Sequence, residues 1–125
     1  MTGGAGFIGS HVIVSLLEKG YNVILLDSFI NSSPKVVESI KEICFDYKNF
    51  NSKNFKFINC DLRNIEYLNS IFATFQKDSI LIDAVIHLAG LKSVKESIIN
   101  PIRYWDFNIN STINLLKIMQ DYGCK

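Results

Sequence analysis

Three glycines near the amino terminus are spaced so that the backbone could approach a diphosphate. Residues 1–11 read MTGGAGFIGSH, with Gly3, Gly6 and Gly9 in the pattern G-x-x-G-x-x-G. An early glycine permits a tight turn, a middle one removes the Cβ that would obstruct a pyrophosphate, and the last lets a helix lie close to a sheet. The first amides of the helix that follows would point at the anion. This stretch therefore predicts a phosphate-binding loop.

An acidic residue follows the loop at the distance expected for a dinucleotide site. Asp27 lies eighteen residues after Gly9, at the end of the apolar run NVILL. Its carboxylate can accept hydrogen bonds from the adenosine ribose hydroxyls and would repel a 2′-phosphate, so the pattern favours NAD over NADP. The alternative interpretation is that Asp27 only caps the next turn.

Two later segments end at the same predicted edge of the sheet. Asp61, in CDLRN, could accept from the adenine amino group or could instead N-cap the helix beginning near Ile65. Gly90, in HLAG, would let the backbone pass close to the cofactor. We interpret His87 as a core histidine with hydrogen-bond partners and not as a catalytic group.

The elements that would position these residues alternate between helix and strand. Apolar residues at helical spacing predict a helix over Phe7–Lys19 that ends at Gly20. Further helices are predicted in PKVVESIKEICFDY and IEYLNSIFATFQ, and buried parallel strands in NVILLD, FKFINCD and LIDAVIHLAG. The alternation predicts an α/β fold, a Rossmann-type doubly wound parallel sheet with right-handed crossovers.

A long helix is predicted from Pro101 to about Tyr122, with Asn100 as its N-cap and Gly123 as its stop. Its apolar residues form two stripes, and a helix that is apolar on two sides needs two surfaces to pack on. One surface is its own sheet; the other is either a partner subunit or chain outside this sequence, and both remain open. The first stripe is Ile102, Trp105, Ile109, Ile113 and Leu116, and the second is Tyr104, Phe107, Leu115 and Ile118.

Composition and charge exclude several classes of function. The length of 125 residues suits one domain, and a net charge of +1 gives no basis for binding nucleic acid or an anionic membrane. The apolar runs are too short to cross a bilayer and no secretory signal is visible, so we expect a cytoplasmic protein. Cys44, Cys60 and Cys124 lack metal-site spacing and are interpreted as reduced thiols, and no metal site is predicted.

Several segments together resemble the extended short-chain dehydrogenase/reductase family. They are TGGAGFIGSH, LLDSFINSS, CDLRN, and VIHLAGLKSVKES followed by NP and NINST. Within that family, AGLKSVKES is most similar to the UDP-glucose 4-epimerases. The resemblance covers essentially the whole sequence and corresponds to roughly the first third of such an enzyme.

The resemblance implies a tightly bound NAD that acts transiently in an isomerase. In these enzymes the sugar C4 gives its hydride to NAD⁺ while the 4-hydroxyl loses a proton, a 4-keto intermediate turns over, and the hydride returns to the opposite face, which interconverts UDP-glucose and UDP-galactose. The resemblance also implies a homodimer without nucleic-acid or membrane partners. Another nucleotide-sugar enzyme of the family (a dehydratase or a UDP-glucuronate epimerase) and a non-catalytic NAD-binding module are the alternatives.

The NAD contacts that the resemblance implies come from four segments. They are Gly3, Gly6, Phe7, Ile8 and Gly9 for the pyrophosphate; Asp27, Asn31 and Ser32 for the adenosine ribose; Asp61 and Leu62 beside the adenine; and Leu88, Ala89, Gly90 and Lys92 on the nicotinamide side. Two positions depart from the common pattern. Ser28 stands where asparagine is frequent, and Phe107 where bacterial members often have asparagine, so we place that contact at Asn108.

The family's catalytic tyrosine and lysine, spaced Y-x-x-x-K, are not found in the sequence. The fourth residues after Tyr21, Tyr47, Tyr67 and Tyr104 are Leu25, Asn51, Ile71 and Asn108. We therefore assign no catalytic residue and expect residues 1–125 to be a partial NAD-binding domain. On this interpretation the sequence lacks the first strand, of which at most Met1 and Thr2 are present. It also lacks the later strands and the substrate domain.

Overall fold

The protein is described by a computed structural model that covers residues 1–124. The chain divides into two compact units. Unit 1 comprises Met1–Asn59 and Ile86–Ala89, and unit 2 comprises residues 60–85 and 90–124. Each unit contains a separate part of the residues for which the sequence predicts a function.

Unit 1 is built on a parallel sheet. Strands β1 (Val23–Asp27) and β2 (Phe55–Asn59) pair in parallel along their full length. Thr2 forms parallel bridges to Leu26 on one side and to His87 on the other. The order across the sheet is therefore β2, β1, the residues around Thr2 and the residues around His87, which is the order at the centre of a Rossmann sheet.

Two helices pack with this sheet and confirm the predicted alternation. Helix α1 spans Phe7–Glu18 and helix α2 spans Lys35–Cys44. Gly20 ends α1 with a φ of +84°, as predicted, and its amide donates to the Leu17 carbonyl at 3.0 Å. Tyr21 donates to the Leu16 carbonyl at 3.0 Å, which completes a Schellman motif.

The core of unit 1 joins both helices to both strands. All residues of β1 except Ile24 are buried, as expected for an apolar strand covered on both faces. Burying these side chains is the main favourable term that holds the sheet and helices together. The core consists of Ile13, Leu17, Val23, Leu25, Val37, Ile40, Cys44 and Phe55.

The predicted strand over LIDAVIHLAG is wrong in its extent. Only His87 forms a bridge, where Thr2 donates to the Ile86 carbonyl at 3.0 Å and accepts from Leu88 at 3.1 Å. A strand is stabilised by a ladder of hydrogen bonds to its neighbour. Within residues 1–124 that neighbour is the short segment at the amino terminus, so residues 81–85 have no ladder to join.

Unit 2 is helical. Its elements are α3 (Ile65–Lys77), α4 (Val94–Ile99), α5 (Pro101–Trp105), a π-helical turn (Asp106–Asn110) and α6 (Ser111–Asp121). Helices α3 and α6 pack against each other. The short helix α4 was not predicted. The predicted long helix is interrupted by the π turn, where Ser111 donates to the Asp106 carbonyl five residues back.

The caps of these helices test two of the sequence interpretations. Asn64 N-caps α3, its side chain accepting from Tyr67 at 3.0 Å, so the alternative that Asp61 caps this helix is wrong. Asn100 accepts from Arg103 at 3.3 Å and Pro101 occupies the first helical position, as predicted. Short side chains at these positions satisfy amides that have no partner within the helix.

The two predicted stripes have different surroundings. Leu115 and Ile118 of the second stripe are buried, whereas the first stripe is exposed, with Trp105 64% and Leu116 57% accessible. The helix ends at Gly123, as predicted, and Cys124 donates to the Met119 carbonyl at 2.8 Å. No helix within residues 1–124 is long and apolar enough to span a membrane.

Candidate dinucleotide-binding site

The structure distributes the predicted NAD contacts over both units. Unit 1 contains the phosphate loop, the ribose turn and the end of the His87 segment, and unit 2 contains the remaining positions. Those in unit 1 are Gly3, Gly6, Phe7, Ile8, Gly9, Asp27, Asn31, Ser32, Leu88 and Ala89, and those in unit 2 are Asp61, Leu62, Gly90, Lys92 and Asn108.

The glycine loop connects the central strand residue Thr2 to α1 and is tightly packed backbone. Gly3 has a φ of +65°, and a Cβ there would lie 2.5 Å from the Ala89 nitrogen. A Cβ on Gly9 would lie 2.5 Å from the Gly3 oxygen and 2.6 Å from the Gly4 Cα. Because the obstructing atoms belong to the backbone, they cannot move aside as a side chain would. The close approach of loop and helix therefore depends on glycine at both positions.

The amino end of α1 is suited to an anion. Gly6 is the N-cap, and within residues 1–124 no side chain caps this helix and no acidic residue occupies its first turn. Phe7 and Ile8, the first helical residues, are 77% and 65% exposed, so their backbone lies at an accessible surface. The partial positive charge of a helix amino terminus attracts negative groups. This turn could therefore hold a diphosphate without displacing a protein acceptor.

Asp27 links the glycine loop to the turn after β1. The carboxylate is 8% exposed; its Oδ2 accepts from Ala5 N at 2.9 Å, and its Oδ1 accepts from Phe29 N at 2.9 Å and Ser32 Oγ at 3.0 Å. Oδ1 thus caps the turn after β1, as the alternative interpretation predicted. Oδ2 connects the end of β1 to the glycine loop through Ala5. Asp27 and Ser32 are brought together as predicted, and their contact with a ribose stays a prediction.

Backbone strain is present in the same turn. Phe29 has a φ of +56°, a left-handed conformation that is costly for a bulky side chain. Its ring packs on Phe57 with centroids 5.0 Å apart, and its amide is held by Asp27. Strain that the surroundings enforce in this way is characteristic of ligand-binding segments.

His87 is hydrogen-bonded, as interpreted, but it is half-buried and not a core residue. Its Nδ1 lies 2.6 Å from Oγ1 of the buried Thr2. Burial lowers the pKa of His87 below its ordinary value, so the imidazole is neutral at physiological pH. Leu88 and Ala89 follow it at the edge that Gly3 contacts.

In unit 2, Asp61 is held by an arginine two residues later. Arg63 donates to Asp61 from its backbone amide at 3.0 Å, from Nε at 3.1 and 3.2 Å, and from Nη2 at 2.6 Å. Its Nη1 donates to Asp106 of the π turn at 2.6 Å. The guanidinium lies over the Phe107 ring, 3.6 Å from its centroid. We call Asp61, Arg63, Asp106 and Phe107 the Arg63 cluster.

Two asparagines hold the neighbouring backbone of unit 2. Asn114 of α6 is buried and donates to the carbonyls of Leu62 and Arg63, both at 3.1 Å. Asn108 of the π turn accepts from Leu91 N at 2.7 Å and donates to Leu91 O at 2.9 Å. The amide of Asn108 therefore clamps the segment after Gly90. Its predicted contact with NAD stays a prediction.

Gly90 and Lys92 flank Leu91, the residue that Asn108 holds. A Cβ on Gly90 would lie 3.2 Å from the Asn108 Oδ1, so the glycine makes room for the clamp as well as for any ligand. Lys92 is exposed. Neither position is shown to contact a cofactor.

Lowering the pH is expected to weaken the Arg63 cluster. The hydrogen bond from Arg63 is the main cause that lowers the pKa of Asp61 and of Asp106 from the ordinary value of 3.8. The pKa of each carboxyl is lower in the folded protein than in the unfolded protein. The contribution of the two ion pairs to stability is therefore complete above the pKa of the unfolded state, and it is lost as the pH falls through the pKa of the folded state. Between about pH 6 and pH 2 the free energy of unfolding should fall less steeply in Arg63→Gln than in the unaltered protein. Equal slopes would contradict this role.

Cys44 and Cys60 are unsuited to nucleophilic chemistry. Burial, with a smaller contribution from the charge of Asp61, raises the pKa of Cys60 to about 11, and burial also raises the pKa of Cys44. Both are free thiols that stay protonated at neutral pH. In the described part of the chain no group of three histidine, cysteine or acidic side chains could hold a metal ion.

Sequence reasoning missed three residues that organise the site: Thr2, Arg63 and Asn114. The spacing D-x-R in CDLRN was a usable signal for Arg63, because a side chain two residues away can reach back to the carboxylate. Thr2 and Asn114 carried no local signal. Their partners, His87 and Leu62, lie far away in the sequence.

The chain is similar in sequence to known UDP-glucose 4-epimerases. The chain is 45% identical over 125 residues to a bifunctional UDP-glucose 4-epimerase and UDP-xylose 4-epimerase 1 of Pisum sativum, and 41% identical to a UDP-glucose 4-epimerase of Bacillus subtilis. Each match covers all of this chain and 33% of the relative. The chain thus spans about a third of the length of the curated relatives it matches.

Solved structures agree with the fold. A UDP-glucose-4-epimerase from Stenotrophomonas maltophila with bound NAD and formylated UDP-arabinopyranose matches with a TM-score of 0.83 at 41% identity, over 99% of this chain and 33% of that one. A UDP-glucose 4-epimerase from Bifidobacterium longum, in complex with NAD⁺ and UDP, also gives 0.83 at 41% identity, over 98% of this chain and 33% of that one. The predicted Rossmann-type α/β class is confirmed.

The family described as GDP-mannose 4,6 dehydratase matches residues 1–125, and the chain belongs to that family.

Proposed function

We propose that residues 1–125 form part of the NAD-binding domain of an epimerase that interconverts UDP-glucose and UDP-galactose. The supporting relatives are UDP-glucose 4-epimerases at 40–45% identity, and solved epimerases of the same fold contain NAD. NAD, when bound, would accept a hydride from the sugar C4 and return it to the 4-keto intermediate.

The observation that carries the proposal is the bond between Asp27 and the glycine loop. Asp27 Oδ2 accepts from Ala5 N at 2.9 Å, so the carboxylate at the end of β1 stands against the loop that begins α1. A ribose and the diphosphate attached to it need a carboxylate and a helix amino terminus at such a short separation. The residues present therefore fit the adenosine half of a dinucleotide.

In this proposal the chain binds and orients the cofactor and supplies no proton-transfer group. The first turn of α1 holds the diphosphate through its amides, and Asp27 with Ser32 holds the ribose. Phe7, Ile8 and Asn31 line these groups in unit 1, and Leu88 and Ala89 lie on the nicotinamide side. In unit 2 the proposed contacts are Asp61 and Leu62 beside the adenine, and Gly90, Lys92 and Asn108 toward the nicotinamide.

The proposal extends to assembly and location. We infer a homodimer, because the exposed stripe that includes Ile102, Trp105 and Leu116 is a large apolar surface on one side of the predicted helix. We also infer a cytoplasmic enzyme whose substrates are UDP-sugars and which has no nucleic-acid or membrane partner. The net charge of +1 supports the last point.

The test is turnover of a labelled sugar by the protein that carries this chain. UDP-galactose with deuterium at C4 is incubated with NAD, and the product is analysed by NMR. We expect UDP-glucose that retains deuterium at C4, because the hydride is returned within the same site. The absence of UDP-galactose turnover by a protein with bound NAD would overturn the proposal.

A dehydratase is the second candidate, because the matching family is described by a dehydratase. Such an enzyme would eliminate water from its nucleotide sugar and leave a 4-keto-6-deoxy product. The same incubation with GDP-mannose distinguishes the two functions. Formation of a 4-keto-6-deoxy sugar, without epimerisation of UDP-galactose, would favour the dehydratase.

A further inference from the structure

We propose that Arg63 is a positioning residue that fixes the Asp61 carboxylate so that one of its lone pairs can accept from the 6-amino group of adenine. The inference rests on the proposed function, since it assumes that an NAD adenine lies beside Asp61. It assigns a role to Arg63, Asp106 and Phe107 that neither sequence motifs nor similarity supplied.

The first step is the number of bonds that Arg63 makes to one carboxylate. Oδ1 of Asp61 accepts from the backbone amide of Arg63, Oδ2 accepts from Nη2 at 2.6 Å, and Nε shares its single N–H between the two oxygens at 3.1 and 3.2 Å. A carboxylate has about four lone-pair positions, so these donors occupy all but one of them. The Asp61 side chain is 37% accessible, so a ligand can reach the remaining position. Asp61 is thus left with a single directed acceptor.

The second step is that the guanidinium is itself fixed from two other directions. Nη1 donates to Asp106 at 2.6 Å, and Cζ of the guanidinium lies over the Phe107 ring, 3.6 Å from its centroid. Only arginine combines a bidentate fork with a flat face that stacks on an aromatic ring. A lysine would keep the charge and lose the fork. The arrangement therefore specifies orientation as well as charge.

The third step is that the π turn presents both anchors together. Asp106 and Phe107 are adjacent, and the wider turn at Asp106–Asn110 brings them to the loop after β2. π turns inside helices are frequent at functional sites. A purely structural ion pair would need only one of these anchors. Asp61 is also kept charged, because the hydrogen bond from Arg63 lowers its pKa.

The experiment compares two dinucleotides in the protein that carries this chain. Nicotinamide hypoxanthine dinucleotide has a carbonyl in place of the adenine 6-amino group, so it cannot donate at that position. We expect the unaltered protein to bind NAD about tenfold more tightly, the size of one charge-assisted hydrogen bond. Arg63→Lys should bring the ratio of the two dissociation constants close to one.

Further variants separate positioning from folding. Asp106→Asn removes the ion pair between Asp106 and Arg63 at a half-exposed position. It should partly reduce the ratio of the two dissociation constants, and it replaces Arg63→Lys as the test if that variant does not fold. In an Asp61→Ala background, Arg63→Lys should leave the ratio unchanged, because the two residues act as a unit. The matched control is Arg103→Lys; Arg103 lies 5.2 Å from the same Phe107 ring, makes its ion pair with Glu96, and should keep the full ratio.

The outcomes distinguish this inference from the proposed function. If Arg63→Lys and Asp106→Asn weaken both dinucleotides equally, Arg63 is merely structural and the inference is overturned. If the unaltered protein binds NAD without any preference over the hypoxanthine analogue, the inference is also overturned while NAD binding stands. If the unaltered protein binds neither dinucleotide, the proposed function fails as well.

Discussion

Replacing Asp27 by alanine is expected to lower the affinity for NAD about tenfold, the effect of losing one hydrogen bond from a ribose hydroxyl to the carboxylate, because three of its roughly four lone-pair positions already accept from protein donors. The same change removes the acceptor for the amides of Ala5 and Phe29 and for the Ser32 hydroxyl. Leaving one buried and one partly buried amide without a partner should lower the free energy of unfolding by about 2 kcal/mol. Calorimetric titration with NAD and urea denaturation of the protein that carries this chain measure the two effects.

A lower affinity for NAD would not by itself distinguish ribose binding by Asp27 from turn capping. The test therefore compares the dissociation constants for NADP and NAD. Asp27→Asn removes the negative charge that would repel a 2′-phosphate and keeps the size of the side chain. The ratio of the dissociation constants for NADP and NAD should therefore fall in Asp27→Asn. Asp46→Asn, an exposed acid in the same unit, is the control and should leave the ratio unaltered. A reduced stability with an unchanged ratio in Asp27→Asn would mean that Asp27 only caps the turn.

The predictable parts of this molecule are those that local chemistry decides. Helix α1 starts after Gly6 and stops at Gly20 because glycine at those positions suits a cap and a left-handed turn. Asn100 and Pro101 mark the start of α5 for equally local reasons. The order of glycine loop, helix, strand and Asp27 was sufficient to predict that Asp27 ends the strand that follows α1.

What the sequence left unpredicted depends on contacts between distant segments. The apolar run LIDAVIHLAG reads as a strand, but a strand needs a ladder of hydrogen bonds, and within residues 1–124 only His87 of this run forms a bridge, to Thr2. The π turn adds a residue to a helix whose apolar pattern stays nearly periodic, so no local signal marks it. The Arg63 cluster joins Asp61 to Asp106, forty-five residues apart. A local pattern carries no information on such a separation.

Gly9→Ala is expected to have a large effect on both stability and NAD affinity. The added Cβ would lie 2.5 Å from the Gly3 oxygen and 2.6 Å from the Gly4 Cα, whereas optimal contacts between such atoms are about 3.5 Å or more. Relieving that overlap requires α1 to move away from the loop by about 1 Å. Overpacking of this kind costs about 3 kcal/mol, more than the roughly 1 kcal/mol that alanine gains in a helix.

The affinity for NAD should fall with that movement, because the first-turn amides of α1 are carried away from the diphosphate position; we expect about a hundredfold. Gly6→Ala separates the two effects. Its Cβ would lie 3.3 Å from the Gly3 oxygen, a tight contact but much less severe than the 2.5 Å contact at Gly9, so the loss of stability should be smaller while NAD binding weakens through obstruction of the pyrophosphate. Ser10→Ala, in the same turn, is the control and should change neither quantity by much. If Gly9→Ala leaves both the free energy of unfolding and the affinity for NAD unchanged, the packed loop does not hold the cofactor. The backbone would then have tolerated a side chain at a position where the geometry leaves no room for one.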